Sequence, residues 1–157
     1  MRDISEMLIT DQNDIYIFFE IIKQIEPKRI IDIGMFLKRI GNISRQTANE
    51  EIARDVQLDA VDFLENLSVP VYEKVYNSIY NEFTFLKSEQ TYELAVMLRP
   101  EMIMTEEQEN FLWNYLKGKV AYVLTDCENE YRKRTLAGKG KSVQLKVDDN
   151  EYELITL

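Results

Sequence analysis

Three aspartates stand at or near the ends of short apolar runs, at Asp32, Asp62 and Asp126. If these runs are parallel strands, the aspartates lie along one edge of the sheet, where open α/β proteins bind their ligands. Carboxylates gathered there could bind Mg²⁺, which prefers oxygen ligands. Aspartates that are solvated independently of one another are more common at strand ends, so we predict no metal site.

The chain contains no histidine, and this absence limits the chemistry more than any other feature of the composition. It excludes Ser-His and Cys-His nucleophilic pairs, histidine general bases and most zinc sites. Proton transfer would depend on carboxylates, tyrosine, lysine or the single cysteine, Cys127. Because no cationic side chain stands next to Cys127, we expect no nucleophilic role for it. The catalytic residues stay unassigned.

The composition favours one globular domain over residues 1–157. Hydrophobic residues make up 45% and charged residues 30% of the chain, which suits a packed core and not a disordered chain. A net charge of −9 argues against a general nucleic-acid-binding surface, because phosphate contacts require a positive field.

The same features indicate a cytoplasmic protein that does not bind membranes. No run approaches the ~20 apolar residues that cross a bilayer, and the N-terminus lacks the apolar region of a secretory signal. One cysteine cannot form an internal disulfide, which fits a reducing compartment.

Short apolar runs predict buried parallel strands, because each run is too short for a helix. They occupy residues 29–34, 58–64, 92–98 and 120–124. Apolar residues alternate with polar ones between Val143 and Leu154, around Asp148-Asp149-Asn150, and this pattern predicts a β-hairpin.

Helical spacing predicts a first helix from Asp11, as its N-cap, to Ile25. A second helix would open at residues 68–70 and carry an aromatic stripe from Tyr72 to Phe83. Tyrosine is enriched at interfaces, so this stripe could also form the surface of a homodimer.

A capping box at Thr105–Gln108 predicts a further helix that ends near Gly118. Its inward residues would be Phe111, Leu112, Tyr115 and Leu116, and Trp113 falls outside this stripe. Residues 35–56 show no single periodicity, although Thr47 and Glu50 have the spacing of a short capped helix.

Strands that alternate with helices and end in a hairpin predict a three-layer, Rossmann-like α/β fold. The sheet would be mainly parallel, with helices on both faces and a C-terminal antiparallel hairpin.

The order of elements and the residues at the strand ends resemble the class I S-adenosylmethionine-dependent methyltransferases. The segments that carry the resemblance are RIIDIG at 29–34, LDAVDF at 58–63, YELAVML at 92–98, VAYVLTD at 120–126 and the final hairpin. The resemblance implies that S-adenosylmethionine is the cofactor and that the partner is a small-molecule ligand. Asp32 and Gly34 would shape the methionine site, and Asp62 would accept hydrogen bonds from the ribose hydroxyls.

The sequence departs from the family's pattern at two places. Met35, Phe36 and Leu37 follow Gly34, where the family has small residues, and the next glycine is Gly41. The segment MLRPE at 97–101 also lacks the Asn-Pro-Pro-type motif of amino-group methyltransferases. Two functions remain: a methyltransferase with a degenerate cofactor loop, or a non-catalytic interaction or regulatory module that retains the fold.

Overall fold

A sheet of eight strands forms the centre of the protein. The computed structural model describes residues 9–34, 56–62, 72–79, 82–87, 89–99, 105–126 and 141–157. In chain order the elements are α1 (Ile9–Ile25), β1 (Arg29–Ile33), β2 (Gln57–Asp62), β3 (Lys74–Ile79), β4 (Glu82–Phe83), a 3₁₀ helix (Thr84–Lys87), β5 (Tyr92–Met97), α2 (Glu106–Tyr115), β6 (Val120–Asp126), β7 (Lys141–Val147) and β8 (Asn150–Thr156).

The strand order is β4-β3-β2-β1-β5-β6-β8-β7. The five strands from β3 to β6 in this order run parallel, whereas β8 pairs antiparallel with β6 and with β7. The chain adds β2 and β3 on one side of β1 and then returns to place β5 on the other side. This reversal creates a topological switch point between β1 and β5, the position where open α/β sheets bind ligands.

The sheet separates two apolar cores, because side chains of a strand alternate between its faces. On one face, Phe18 of α1 packs in a cluster with Ile30, Leu94 and Leu124. On the other face, Leu112 of α2 belongs to a cluster with neighbouring strand residues such as Ile31, Ala95 and Val123. Helices therefore cover both faces, and the predicted three-layer α/β architecture is confirmed.

The predicted helix between Tyr72 and Phe83 is wrong, because this segment contains β3 and β4. Val75 packs against the α1-side core and Tyr76 belongs to the α2-side core, so successive side chains point to opposite faces. Pairing with β2 satisfies the backbone, and β-branched and aromatic residues suit such a strand. The expected start of this helix at residues 68–70 lies outside the described residues, as do Met35–Gly41 and the capped helix at Thr47.

α1 agrees with the prediction except at its start. The described part of the helix already includes Ile9, so Asp11 lies inside the helix and is not the N-cap. Among the described residues, no helix is long and apolar enough to cross a membrane.

The capping box that begins α2 is confirmed. The Thr105 side chain accepts a hydrogen bond from the backbone N–H of Gln108 at 3.2 Å, and the Gln108 side chain accepts one from the Thr105 N–H at 2.8 Å. The far end differs from the prediction, because Leu116 is the C-cap and Gly118 follows two residues later with a φ of 85°.

The inward face of α2 also differs from the prediction. Trp113 is buried and its indole N–H donates to buried Glu109 at 3.5 Å. Tyr115, which was expected to face inward, is 56% exposed and lies against Phe111. The hairpin is confirmed, with its two-residue turn at Asp148 and Asp149.

Gly118→Ala should destabilise the protein by about 1–2 kcal/mol, because a Cβ penalises the left-handed backbone. The added Cβ would meet no atom within 4 Å, so the loss measures backbone strain alone. Gly118→Asn is the matched control, since asparagine tolerates this conformation better. Urea unfolding should rank the three proteins as glycine, asparagine, alanine, and equal midpoints for the two variants would contradict this explanation.

Candidate functional site

The C-terminal ends of β1 and β2 bring two of the predicted site residues together. Gly34 follows β1 with a φ of 99°, and its N–H donates to the carbonyl of Val61 at 2.9 Å. Because Ile33 is paired with Val61, the next residues, Gly34 and Asp62, stand side by side at the edge. The absence of a Cβ at Gly34 allows this backbone conformation and lets a ligand approach the turn closely.

Asp32 lies inside the sheet and not at its rim. It is fully buried, and its Oδ2 accepts a hydrogen bond from the Tyr72 hydroxyl at 2.5 Å. The expectation of a separately solvated aspartate is therefore wrong at this position. A buried carboxylate requires such a partner, and the bond ties the segment before β3 to β1. Asp62 ends β2, where its backbone pairs with Asn77.

Asp126 ends β6 and is also buried, so it too differs from the expected solvated aspartate. Its Oδ1 accepts the backbone N–H of Arg99 at 2.8 Å, and its Oδ2 accepts the Arg99 guanidinium at 3.2 Å. One carboxylate thus holds both the main chain and the side chain of the residue that follows β5. Asp126 and Asp32 belong to the α1 side of the sheet, because they continue the alternation that places Leu124 and Ile30 there.

The same guanidinium reaches a second carboxylate on α1. Arg99 lies 3.1 Å from Oδ1 of Asp14, which is buried and also accepts a hydrogen bond from the Tyr152 hydroxyl. We call these four residues, Asp14, Arg99, Asp126 and Tyr152, the Arg99 cluster. It joins α1, the end of β5, the end of β6 and the middle of β8.

Burial raises the pKa of Asp14 from its ordinary 3.8 to about 6. The Tyr152 hydrogen bond and the charge of Arg99 oppose this rise, and the negative charge of Asp126 adds to it. Asp14 therefore changes its charge close to neutral pH, while Arg99 stays positive. With two carboxylates and one guanidinium, the ionised cluster carries a net negative charge.

Arg99 has a left-handed backbone, with a φ of 55°. Such a conformation is uncommon for a residue with a side chain and persists only where surrounding contacts hold it. Here the bonds to Asp126 and Asp14 supply those contacts. The strain lies directly after β5, beside the switch point.

Sequence reasoning missed Asp14, Arg99 and Tyr152. One signal was present: Asp14 shares the buried face of α1 with Phe18 and Ile21, and a charge on such a face needs a partner. The identity of the partner depends on long-range pairing between elements, which periodicity does not supply.

A separate polar cluster lies on the opposite face, towards the other end of the strands. Oδ2 of buried Asp59 accepts hydrogen bonds from the Tyr92 hydroxyl at 2.7 Å and from Gln57 at 2.8 Å. Burial is the main cause of a raised pKa at Tyr92, followed by hydrogen bonds to Tyr76 and Asp59. Tyr92 therefore stays protonated and serves as a hydrogen-bond donor to the buried Asp59 side chain.

No group of three or more Cys, Asp or Glu residues with the geometry of a metal site occurs within the part of the chain that the structure describes. Asp126 and Asp32 bond to Arg99 and Tyr72 instead.

Comparison with solved structures identifies the architecture. A Staphylococcus aureus protein assigned as a caffeoyl-CoA O-methyltransferase aligns with 98% of this chain and 88% of its own, at a TM-score of 0.61 and 14% identity. The methyltransferase domain of a bacterial Hen1 protein aligns over 96% of this chain and 100% of that domain, at a TM-score of 0.60 and 11% identity.

A third match carries a ligand. Magnesium protoporphyrin IX methyltransferase from Synechocystis, solved with bound S-adenosylmethionine, aligns over 94% of this chain and 80% of its own, at a TM-score of 0.55 and 8% identity. No protein-family model and no curated protein matches the sequence. This chain has a class I methyltransferase-like fold. At these identities the matches establish the fold alone.

Within the methyltransferase-like fold, the Arg99 cluster lies at the same edge of the sheet as Gly34 and Asp62. β5 and β6 run parallel to β1, so Arg99 and Asp126 follow or end strands at the edge where β1 reaches Gly34. The edge beside the switch point therefore combines a glycine turn, a strand-end aspartate and a partly buried arginine held by two acids.

Tyr72→Phe should destabilise the protein by about 1–3 kcal/mol, because it leaves the buried Asp32 carboxylate without one of its donors. Tyr16→Phe is the matched control, since Tyr16 is 55% exposed and its hydroxyl can be replaced by water. Chemical unfolding at pH 7 measures both changes. Equal stability of the two variants would show that the Tyr72 hydrogen bond contributes nothing.

The stability difference between the wild type and Asp14→Asn should depend on pH. The pKa of Asp14 is about 6 in the folded protein, whereas the ordinary value for aspartate is 3.8. The folded state therefore binds the proton more tightly than the unfolded state. The wild type should gain stability relative to the variant as the pH falls from 7 to 4, by about 2.4 kcal/mol. Urea unfolding across this range tests the sign, and a difference that shrinks or stays constant as the pH falls would contradict it.

Proposed function

We propose that this protein binds S-adenosylmethionine at the C-terminal ends of β1 and β2. The observation that carries the proposal is the pair of Gly34 and Asp62 beside the switch point of a methyltransferase-like sheet. Gly34 has the positive φ that permits a close backbone approach, and Asp62 ends the neighbouring strand.

The residues present fit the chemical groups of this cofactor. The sulfonium and ammonium groups are cationic, and an edge with a net negative charge favours cations. A strand-end carboxylate can accept hydrogen bonds from both ribose hydroxyls. Gly34 would shape the methionine end and Asp62 would hold the ribose, whereas Asp32 is buried and bonded to Tyr72 and would not contact the cofactor. When bound, the cofactor supplies an electrophilic methyl group.

Methyl transfer would require little from the protein beyond orientation and a partner nucleophile. In a catalytic version, binding would align the acceptor with the sulfonium methyl group at the switch point. In a non-catalytic version, the same crevice would respond to S-adenosylmethionine or to S-adenosylhomocysteine without turnover. The positions of Asp14 and Asp126 favour the second version, because both carboxyl groups are buried and bonded to Arg99 and are not exposed to an acceptor.

S-adenosylmethionine at 100 times its dissociation constant should stabilise the protein by about 2.7 kcal/mol. For a chain of this length, the rise in melting temperature should be roughly 5–10 °C. A thermal-shift titration with S-adenosylmethionine and S-adenosylhomocysteine measures it, and Asp62→Asn should weaken binding by about tenfold or more, since it removes a charged acceptor.

Asp149→Asn is the control for Asp62→Asn, because it makes the same chemical change in the exposed hairpin turn. It should bind the ligand as the wild type does. No shift at millimolar ligand would refute cofactor binding, and equal binding by both variants would refute the role of Asp62. Incubation with S-adenosylmethionine, followed by detection of S-adenosylhomocysteine, separates the catalytic version from the non-catalytic one.

A further inference from the structure

The wall of the proposed crevice on the β5 side is held by side chains that belong to other elements. Asp32 of β1 pairs with Val96 of β5, and extending this register by two residues places Gly34 opposite Leu98. Arg99 follows Leu98 directly, so its backbone continues the wall across from the glycine turn. A movement of the Arg99 backbone would therefore change its distance from the glycine turn.

Three bonds fix Arg99 there in its left-handed conformation. Two come from Asp126, which accepts the backbone N–H and one guanidinium nitrogen. The third comes from Asp14, which accepts the other guanidinium nitrogen at 3.1 Å. The Arg99 side chain is 12% exposed, so water competes weakly for these bonds. The loss of any of them would weaken the contacts that hold the Arg99 backbone in place.

We propose that Asp14 is a positioning residue for this crevice, acting through Arg99 on the backbone that leaves β5. The inference rests on the proposed function for its ligand, but its effect on Arg99 exists in the free protein. Asp14 is well placed for this role because it belongs to α1, a different element from those that form the crevice. The docking of α1 and the shape of the ligand site are thereby coupled.

The protonation state of Asp14 controls the coupling between α1 and the proposed crevice. Asp14 faces Arg99 after β5, Asp126 of β6 and Tyr152 of β8. Among these four residues, the carboxyl of Asp14 has a pKa raised to about 6 by burial. Above this pH Asp14 is a carboxylate that attracts the guanidinium, and below it the group is neutral and Arg99 is held chiefly by Asp126.

The first measurement is hydrogen exchange at the Arg99 amide in the free protein, expressed as a protection factor between pH 5 and pH 7. This amide donates to Asp126, so its protection reports how firmly the wall is held. Protection should fall by about tenfold as the pH drops through 6, equivalent to one charge-assisted hydrogen bond. In Asp14→Asn it should stay at the low-pH value throughout.

The second measurement is the dissociation constant of S-adenosylhomocysteine over the same range, by calorimetry. The α-amino and α-carboxyl groups of the ligand do not titrate between pH 5 and pH 7. Affinity should weaken by about tenfold towards pH 5 in the wild type and stay constant in Asp14→Asn. Asp149→Asn should retain the wild-type profile.

Tyr152→Phe provides a variant that keeps Asp14 but changes its titration. The Tyr152 hydroxyl stabilises the ionised form of Asp14, so its removal should move the midpoint of both profiles to higher pH. An unchanged midpoint, or an Arg99 amide equally protected at pH 5 and pH 7 in the wild type, would overturn the inference. If S-adenosylhomocysteine binds at no pH, the proposed function is overturned instead. The protection of the Arg99 amide in the free protein would still test the role of Asp14.

Discussion

The ion pairs of the Arg99 guanidinium are the interaction on which the C-terminal edge of the sheet beside β5 depends. The guanidinium lies between carboxylates of α1 and β6, and it belongs to a residue that leaves β5 in a conformation few side chains adopt. Breaking a buried ion pair from one side leaves an uncompensated charge, which costs several kcal/mol. The Arg99 cluster therefore holds α1, β5, β6 and the hairpin in one arrangement, because the loss of one partner leaves a charge of another uncompensated.

Buried charge is distributed unevenly between the two faces of the sheet. The α1 face contains Asp14, Asp32 and Asp126 near the C-terminal edge, whereas the α2 face has Asp59 towards the opposite edge. Asp32 and Asp59 are both bonded by tyrosine hydroxyls. A tyrosine donates a hydrogen bond without adding charge, so these carboxylates stay anchored without a desolvated cation. Arg99 instead bonds to carboxylates at the point where the chain leaves β5 in a left-handed conformation.

Much of the fold could be predicted from local patterns. Short apolar runs, too short for helices, indicated β1, β2, β5 and β6, and the Thr105 capping box located the start of α2. β3 was missed because aromatic residues at Tyr72, Tyr76 and Phe83 mimic helical spacing. Pairing with β2 overrides that periodicity, and pairing is a long-range property.

The candidate site could be predicted only in part. The resemblance of the strand ends to those of methyltransferases predicted Gly34 and Asp62. In the structure these two residues lie side by side. Asp32 and Asp126 were correctly found as aspartates of the sheet, but their burial was not expected. Asp14 and Arg99 are 85 residues apart in sequence, so no local pattern could have joined them.

The outer strand β7 has a consequence for how this protein can associate. It is the last strand on this side of the sheet among the described residues, and it carries the exposed Lys141 and Lys146 and Val143, which is 59% exposed. Lys141 and Lys146 are five residues apart and therefore lie on opposite faces of the strand. A second strand that paired along β7 would meet one lysine on each face, and lysines on an edge strand oppose such pairing. At the opposite edge, β4 is only two residues long, too short to template another chain. Within the part of the chain that the structure describes, both ends of the sheet therefore have features that oppose its extension by a second molecule.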